Sequence, residues 1–101
     1  DNSMQPITIG SCTLICNGEI YNYKELFKNM NITPHTESDC EIIIHLYKKF
    51  GIDYALKLLD GVFSFILIDH SSNEMYVARD LYGVRPLFVG RDNNNVIIVV
   101  K

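Results

Sequence analysis

The sequence has 101 residues, 48% hydrophobic and 21% charged, which is enough apolar material for one domain's core and excludes intrinsic disorder. Its net charge of −3 argues against nucleic acid or an anionic membrane as the main partner. No apolar run approaches the roughly 18 residues of a spanning helix and no leader is visible, so the expectation is a soluble, cytoplasmic protein.

Asp1–Pro6 is turn-like, and Ile7–Cys16, rich in Thr, Ile and Cys, reads as one strand or a hairpin bent around Gly10. Asn17-Gly18 then breaks it. Asn22 is placed to cap a short helix with Leu26, Phe27 and Met30 on its apolar side. After a loop over Asn31–Thr36, Ser38-Asp39-Cys40-Glu41 matches a capping box, with Glu41 reaching back to the helix start. The helix behind it carries Cys40, Ile43, Ile44, Tyr47 and Phe50 at helical spacing and ends at Gly51. A second short helix is expected over Asp53–Leu59, stopping at Asp60-Gly61.

The period then changes to two. Val62–Asp69 reads as a strand covered on both faces, and Met75–Ala78 as its return after a turn at His70–Asn73. Leu87–Val89 and Val96–Val100, separated by Asp92–Asn95, read as a further hairpin. Strands, a helical block and strands again predict an α+β fold with an antiparallel sheet and helices on one side.

Three cysteines, Cys12, Cys16 and Cys40, suit free thiols in a reducing compartment. On one extended strand Cys12 and Cys16 lie about 13 Å apart, too far for a disulfide or a shared tetrahedral metal. A zinc site from Cys12, Cys16, His35 and Cys40 needs that strand folded back, so buried structural thiols are the leading reading and no metal is assigned. Cys16 as a nucleophile lacks an identifiable base; His45 falls on the polar side of its helix and reads as solvated. Asn17-Gly18 has two readings, a hairpin turn or a pair of N–H donors for a developing oxyanion. Asp39, in the first turn of a helix, is explained by the helix dipole alone. Arg79-Asp80 and Arg85, flanking Gly83, read as a structural ion-pair knot.

The blocks Asn17-Gly18-Glu19-Ile20-Tyr21-Asn22, Ser38-Asp39-Cys40-Glu41 running into His45-Leu46-Tyr47, Leu59-Asp60-Gly61-Val62-Phe63-Ser64-Phe65 and Ala78-Arg79-Asp80-Leu81-Tyr82-Gly83-Val84-Arg85-Pro86-Leu87-Phe88 occur in that order. Together they resemble the class II glutamine amidotransferase domain of glutamine-hydrolysing asparagine synthetases, from Met4-Gln5-Pro6 to about Val99. The resemblance implies an N-terminal-nucleophile (αββα) fold, with two stacked antiparallel sheets between helical layers. It implies hydrolysis of L-glutamine by an N-terminal cysteine whose own α-amine is the base. Asn17 and Gly18 would supply the oxyanion hole. Glu19 and Asp39 would hold the glutamine, Asp39 through its α-ammonium group.

In that family the nucleophile precedes the Met-Gln-Pro block by some tens of residues, and an Arg-Gly-Pro-Asp segment grips the substrate carboxylate; only Asp1-Asn2-Ser3 stands before that block here. Residues 1–101 are therefore expected to be part of such a domain and to be inactive alone. No cofactor is expected in this chain; ATP and magnesium belong to the remainder of the synthetase polypeptide, its expected partner. An open sheet edge leaves room for a homo-oligomer. The alternative is a non-catalytic amidotransferase-like binding or assembly module.

Overall fold

Period-two alternation at both ends and helical spacing between them yield an α+β fold in the computed structural model, which describes residues 6–80, 87–91 and 96–100. In chain order the elements are β1 (Ile7–Ile9), β2 (Cys12–Ile20), α1 (Tyr23–Met30), α2 (Glu41–Phe50), α3 (Ile52–Leu58), β3 (Gly61–Asp69), β4 (Glu74–Asp80), β5 (Leu87–Arg91) and β6 (Val96–Val100). The strands form one sheet in the order β1-β2-β3-β4-β6-β5. Its neighbours run antiparallel except β4 and β6, which are parallel. This departs from the expected antiparallel sheet: the β5–β6 hairpin returns to β4 through its second strand. The turn over 92–95, and Gly83 and Arg85 of the ion-pair knot, lie outside the described residues.

The first segment is a hairpin about Gly10, which holds φ at +60°, with Ile7 opposite Leu14. Beyond it β2 does not break at Asn17-Gly18. It continues to Ile20 and pairs with β3 from Cys12↔Asp69 to Ile20↔Gly61. The turn reading is overturned because Gly18, without a Cβ, lets the two backbones approach more closely than any other residue would allow.

Alternation sorts the sheet into two faces. Leu14, Cys16 and Ile20 of β2 and Phe63, Phe65 and Leu67 of β3 are buried, with Leu26, Phe27, Ile42, Ile43, Ile44, Leu46, Ala55 and Leu56 of the helices in the same core. Burying one such side chain contributes roughly 1.5–3 kcal/mol. On the opposite face Thr13, Ile15, Ser64, Ile66 and Ile68 are half-buried, and Val62 is 37% exposed. The expectation that β3 is covered on both sides thus holds for one face among the described residues.

Two expected caps are used differently. Asn22 precedes α1 without capping it; its amide donates to the Leu58 carbonyl at 2.9 Å and accepts from the Asp60 N–H at 3.1 Å. It thereby ties the end of β2 to the start of β3. The capping box does not form either. Cys40, in αR conformation, occupies the N-cap of α2, and Ser38 Oγ accepts from the Cys40 N–H at 3.1 Å. Gly51 ends α2 as expected, with φ of +88°. At the far end of β3, Asp69 is buried. Burial opposes its charge, but hydrogen bonds from Tyr47, Ser71 and Ser11 prevail and hold its pKa down to about 2.

Candidate functional site

Residues two apart on a strand turn their N–H groups toward the same edge. Tyr21 N–H bonds to the Asp60 carbonyl, on the β3 side, whereas Ile20 N–H bonds to Asp39 Oδ2 at 2.6 Å, on the opposite side. Gly18 N–H therefore shares the Ile20 edge. The described pairing of β1 with β2 reaches only Leu14, so this stretch of edge lies past the hairpin. Here a cleft of about 800 Å³ opens between β1, Cys16 and Gly18 of β2, and residues 35–40.

Each predicted site residue can be placed relative to that cleft. Gly18 lines it, with φ of +114°. A Cβ there would lie 2.1 Å from the Val62 carbonyl oxygen and 2.7 Å from Phe63 Cα. Asp39 also lines it, half-buried, and has carboxylate lone pairs beyond the one that receives Ile20 N–H. Asn17 and Glu19 are exposed on the outer face of β2, opposite Ser64 and Val62. Of the four, Gly18 and Asp39 line the cleft, whereas Asn17 and Glu19 stand beside it on the other face of β2. At the cleft itself the Gly18 N–H is the donor that alternation along β2 turns toward an anion. Asp39 supplies the acceptor for a cation.

The loop that carries Asp39 is held by Glu41, the residue expected to complete a capping box. Glu41 is fully buried. Its carboxylate accepts from His35 N–H at 2.8 Å, Thr36 N–H at 2.7 Å, Thr36 Oγ at 2.8 Å and His45 Nε2 at 2.8 Å. Burial alone would raise its pKa, yet these donors hold it below the ordinary carboxylate range. An ionised carboxylate only accepts, so the His45 proton on this contact sits on Nε2. His45, expected to be solvated, is buried, with the Phe27 ring edge-on at 5.5 Å. The pair is a Glu and a His four apart on one helix, a spacing that could have announced it.

All three cysteines are free and buried, in line with the structural-thiol reading. Because β2 is not folded back, Cys12, Cys16, His35 and Cys40 do not gather into the zinc arrangement considered from sequence. Cys16 shares a hydrogen bond with Cys40, and that contact and burial push its thiol far above the ordinary range. A nucleophile needs the opposite shift. The expected result with a thiol-specific reagent is no labelling of the folded protein and three equivalents after denaturation. Rapid native labelling lost only in Cys16→Ser would restore Cys16 as a candidate nucleophile.

With this geometry in view, the family profile of the glutamine amidotransferase domain matches residues 1–100. The asparagine synthetase [glutamine-hydrolyzing] of Homo sapiens is 41% identical over 99 residues, 95% of this chain and 18% of that protein. The Gallus gallus enzyme of the same name is 47% identical over 88 residues, 84% of this chain and 16% of that protein. The chain thus spans less than a fifth of the length of these relatives. Among solved structures, the glutamine phosphoribosylpyrophosphate amidotransferase from B. subtilis superposes with a TM-score of 0.63 at 28% identity, covering 91% of this chain and 23% of that one. The family profile, the similarity to these relatives and the fold agree: the chain belongs to the glutamine amidotransferase domain family.

Proposed function

We propose that this domain binds L-glutamine at the β2 edge and positions its side-chain amide for hydrolysis. In this reading Asn17 and Gly18 supply the oxyanion hole, and Glu19 and Asp39 hold the substrate. The observation that carries it is the Asp39 carboxylate seated on Ile20 N–H, two residues from Gly18 on the same strand edge. An α-ammonium group bound at Asp39 would leave the amide end of glutamine directed along that edge toward Gly18. Attack on the amide carbon places negative charge on its oxygen, and donors fixed before the reaction stabilise that charge without reorganising.

The attacking thiol is assigned to none of Cys12, Cys16 and Cys40, because all three are buried. The family's N-terminal cysteine would supply it. The ammonia released would serve an ATP- and magnesium-dependent conversion of aspartate to asparagine elsewhere in a synthetase polypeptide. That assignment extends to this chain the activity named for its relatives. We place the domain in the cytoplasm, where unpaired thiols persist; no helix among the described residues is long and apolar enough to cross a membrane.

The test is a titration of the isotope-labelled chain with L-glutamine, followed by its amide resonances. Saturable shifts at Gly18, Ile20 and residues 35–40 are expected, with a Kd of about 1 mM or weaker and no ammonia release. Asp39→Asn keeps an acceptor for Ile20 N–H but loses the ammonium partner, so binding should weaken about tenfold or more. Equal binding by that variant, or shifts confined to another part of the domain, would reject the assignment.

A further inference from the structure

His35, Glu41 and His45 converge where loop 35–40 meets α2. One ligand atom from each can be chosen so that all three lie within 4.8 Å of one another. Glu41 and His45 sit one turn apart on α2, with Oε2 and Nε2 separated by 2.8 Å. The His35 ring lies over that of His45, with centroids 5.8 Å apart and planes 19° from parallel. We propose that these three side chains form a binding site for a divalent transition metal of the zinc class, joining loop 35–40 to α2.

The ligand set suits that class. Two imidazoles and one carboxylate are borderline donors preferred by zinc, cobalt and nickel over magnesium or calcium. Tetrahedral ligands about 2.1 Å from a metal lie about 3.4 Å apart. The Glu41–His45 contact must therefore open by about 0.6 Å from its 2.8 Å, and the remaining separations, all within 4.8 Å, must close by no more than about 1.4 Å. His35 can supply the larger movement, since its side chain is exposed while the other two are buried. That exposure also gives the ion an entry path and a water for its fourth position.

The surroundings of Glu41 are those of a metal-bound carboxylate. Oε1 receives Thr36 N–H and Thr36 Oγ, and Oε2 receives His35 N–H. These donors fix the carboxylate and can stay in place when a metal takes the Oε2 lone pair now used by His45. His45 then carries its proton on Nδ1 and presents the Nε2 lone pair. The pair is already buried and hydrogen-bonded, so little ordering remains for binding to impose.

Calorimetric titration of the chain with Zn²⁺, and of Co²⁺ by its visible absorption, tests this. The expected result is one ion per chain, with a Kd at or below about 10 µM and no sulfur-to-cobalt band. His35→Ala, which alters an exposed side chain, should keep the far-UV spectrum and weaken binding at least about tenfold. His45→Asn should do the same, and His70→Ala should change nothing. No binding at 100 µM Zn²⁺, a thiolate band, or wild-type affinity in His35→Ala would each overturn the proposal. None of these readouts depends on whether glutamine binds.

Discussion

Gly18→Ala is expected to cost at least about 3 kcal/mol of stability, a large share of the 5–15 kcal/mol typical of a small domain. The added methyl would sit 2.1 Å from the Val62 carbonyl oxygen and 2.7 Å from Phe63 Cα. Both are backbone atoms of β3, so rotating a side chain gives no relief and the strands must part. The residue also holds φ at +114°, a region L-residues rarely enter. Gly61 repeats the device across the ladder: its Cβ would lie 2.1 Å from the Glu19 carbonyl oxygen. Gly51→Ala separates the two causes. Its φ is +88°, but nothing lies within 4 Å of a new Cβ, so backbone strain alone should cost about 1–2 kcal/mol. Urea unfolding of the three proteins compares the costs directly. If Gly18→Ala proved no more destabilising than Gly51→Ala, close approach of β2 and β3 would not be what requires glycine there. The same variant bears on the proposed oxyanion role, since parting the strands moves the Gly18 N–H from its place on the edge.

That Gly18 case also marks the limit of local reading. Asn-Gly is a strong hairpin signal, and nothing within Cys16–Ile20 shows that the chain runs straight through it. The deciding contact is with Val62 and Phe63, more than forty positions away in sequence. Periodicity did find α1 to within its ends, α2 to its Gly51 stop, and the inward set Phe63, Phe65 and Leu67. It misjudged His45 because α2 is buried over more than one stripe: Glu41 through Leu46 are all covered, partly by α1 and the preceding loop. A helical wheel reports polarity, not what packs on the polar side. Parallel pairing of β4 with β6 depends on a crossover, which no local pattern encodes. The candidate site was legible in a different way. Asn17, Gly18, Glu19 and Asp39 became candidates through the combination of blocks, while their local surroundings favoured a turn and a helix start. The structure adds the Ile20–Asp39 bond that joins two of those blocks.

Glu41→Ala should destabilise the fold by about 3–5 kcal/mol, the scale of removing one partner from a buried charge network. The substitution leaves a cavity at a fully buried position and strips acceptors from His35 N–H, Thr36 N–H, Thr36 Oγ and His45 Nε2–H. Loop 35–40 would lose its attachment to α2, and Asp39 would lose the support that keeps it near Ile20. Glu41→Gln resolves charge from shape. It fills the same volume, and its carbonyl oxygen can serve Thr36, but its amide N–H₂ then faces His35 N–H. His45 can adapt by moving its proton to Nδ1 and accepting at Nε2. The glutamine variant should therefore lose less, about 1–3 kcal/mol. Denaturant midpoints at constant slope measure both losses. Amide exchange at residues 35 and 36 gives the local readout: fast in the alanine variant, slower in the glutamine variant, slowest in the wild type. Equal losses would mean that filled volume contributes nothing beyond the charge. A loss below about 1 kcal/mol in Glu41→Ala would mean that the loop stands without this carboxylate, and the account of how Asp39 is positioned would fail with it.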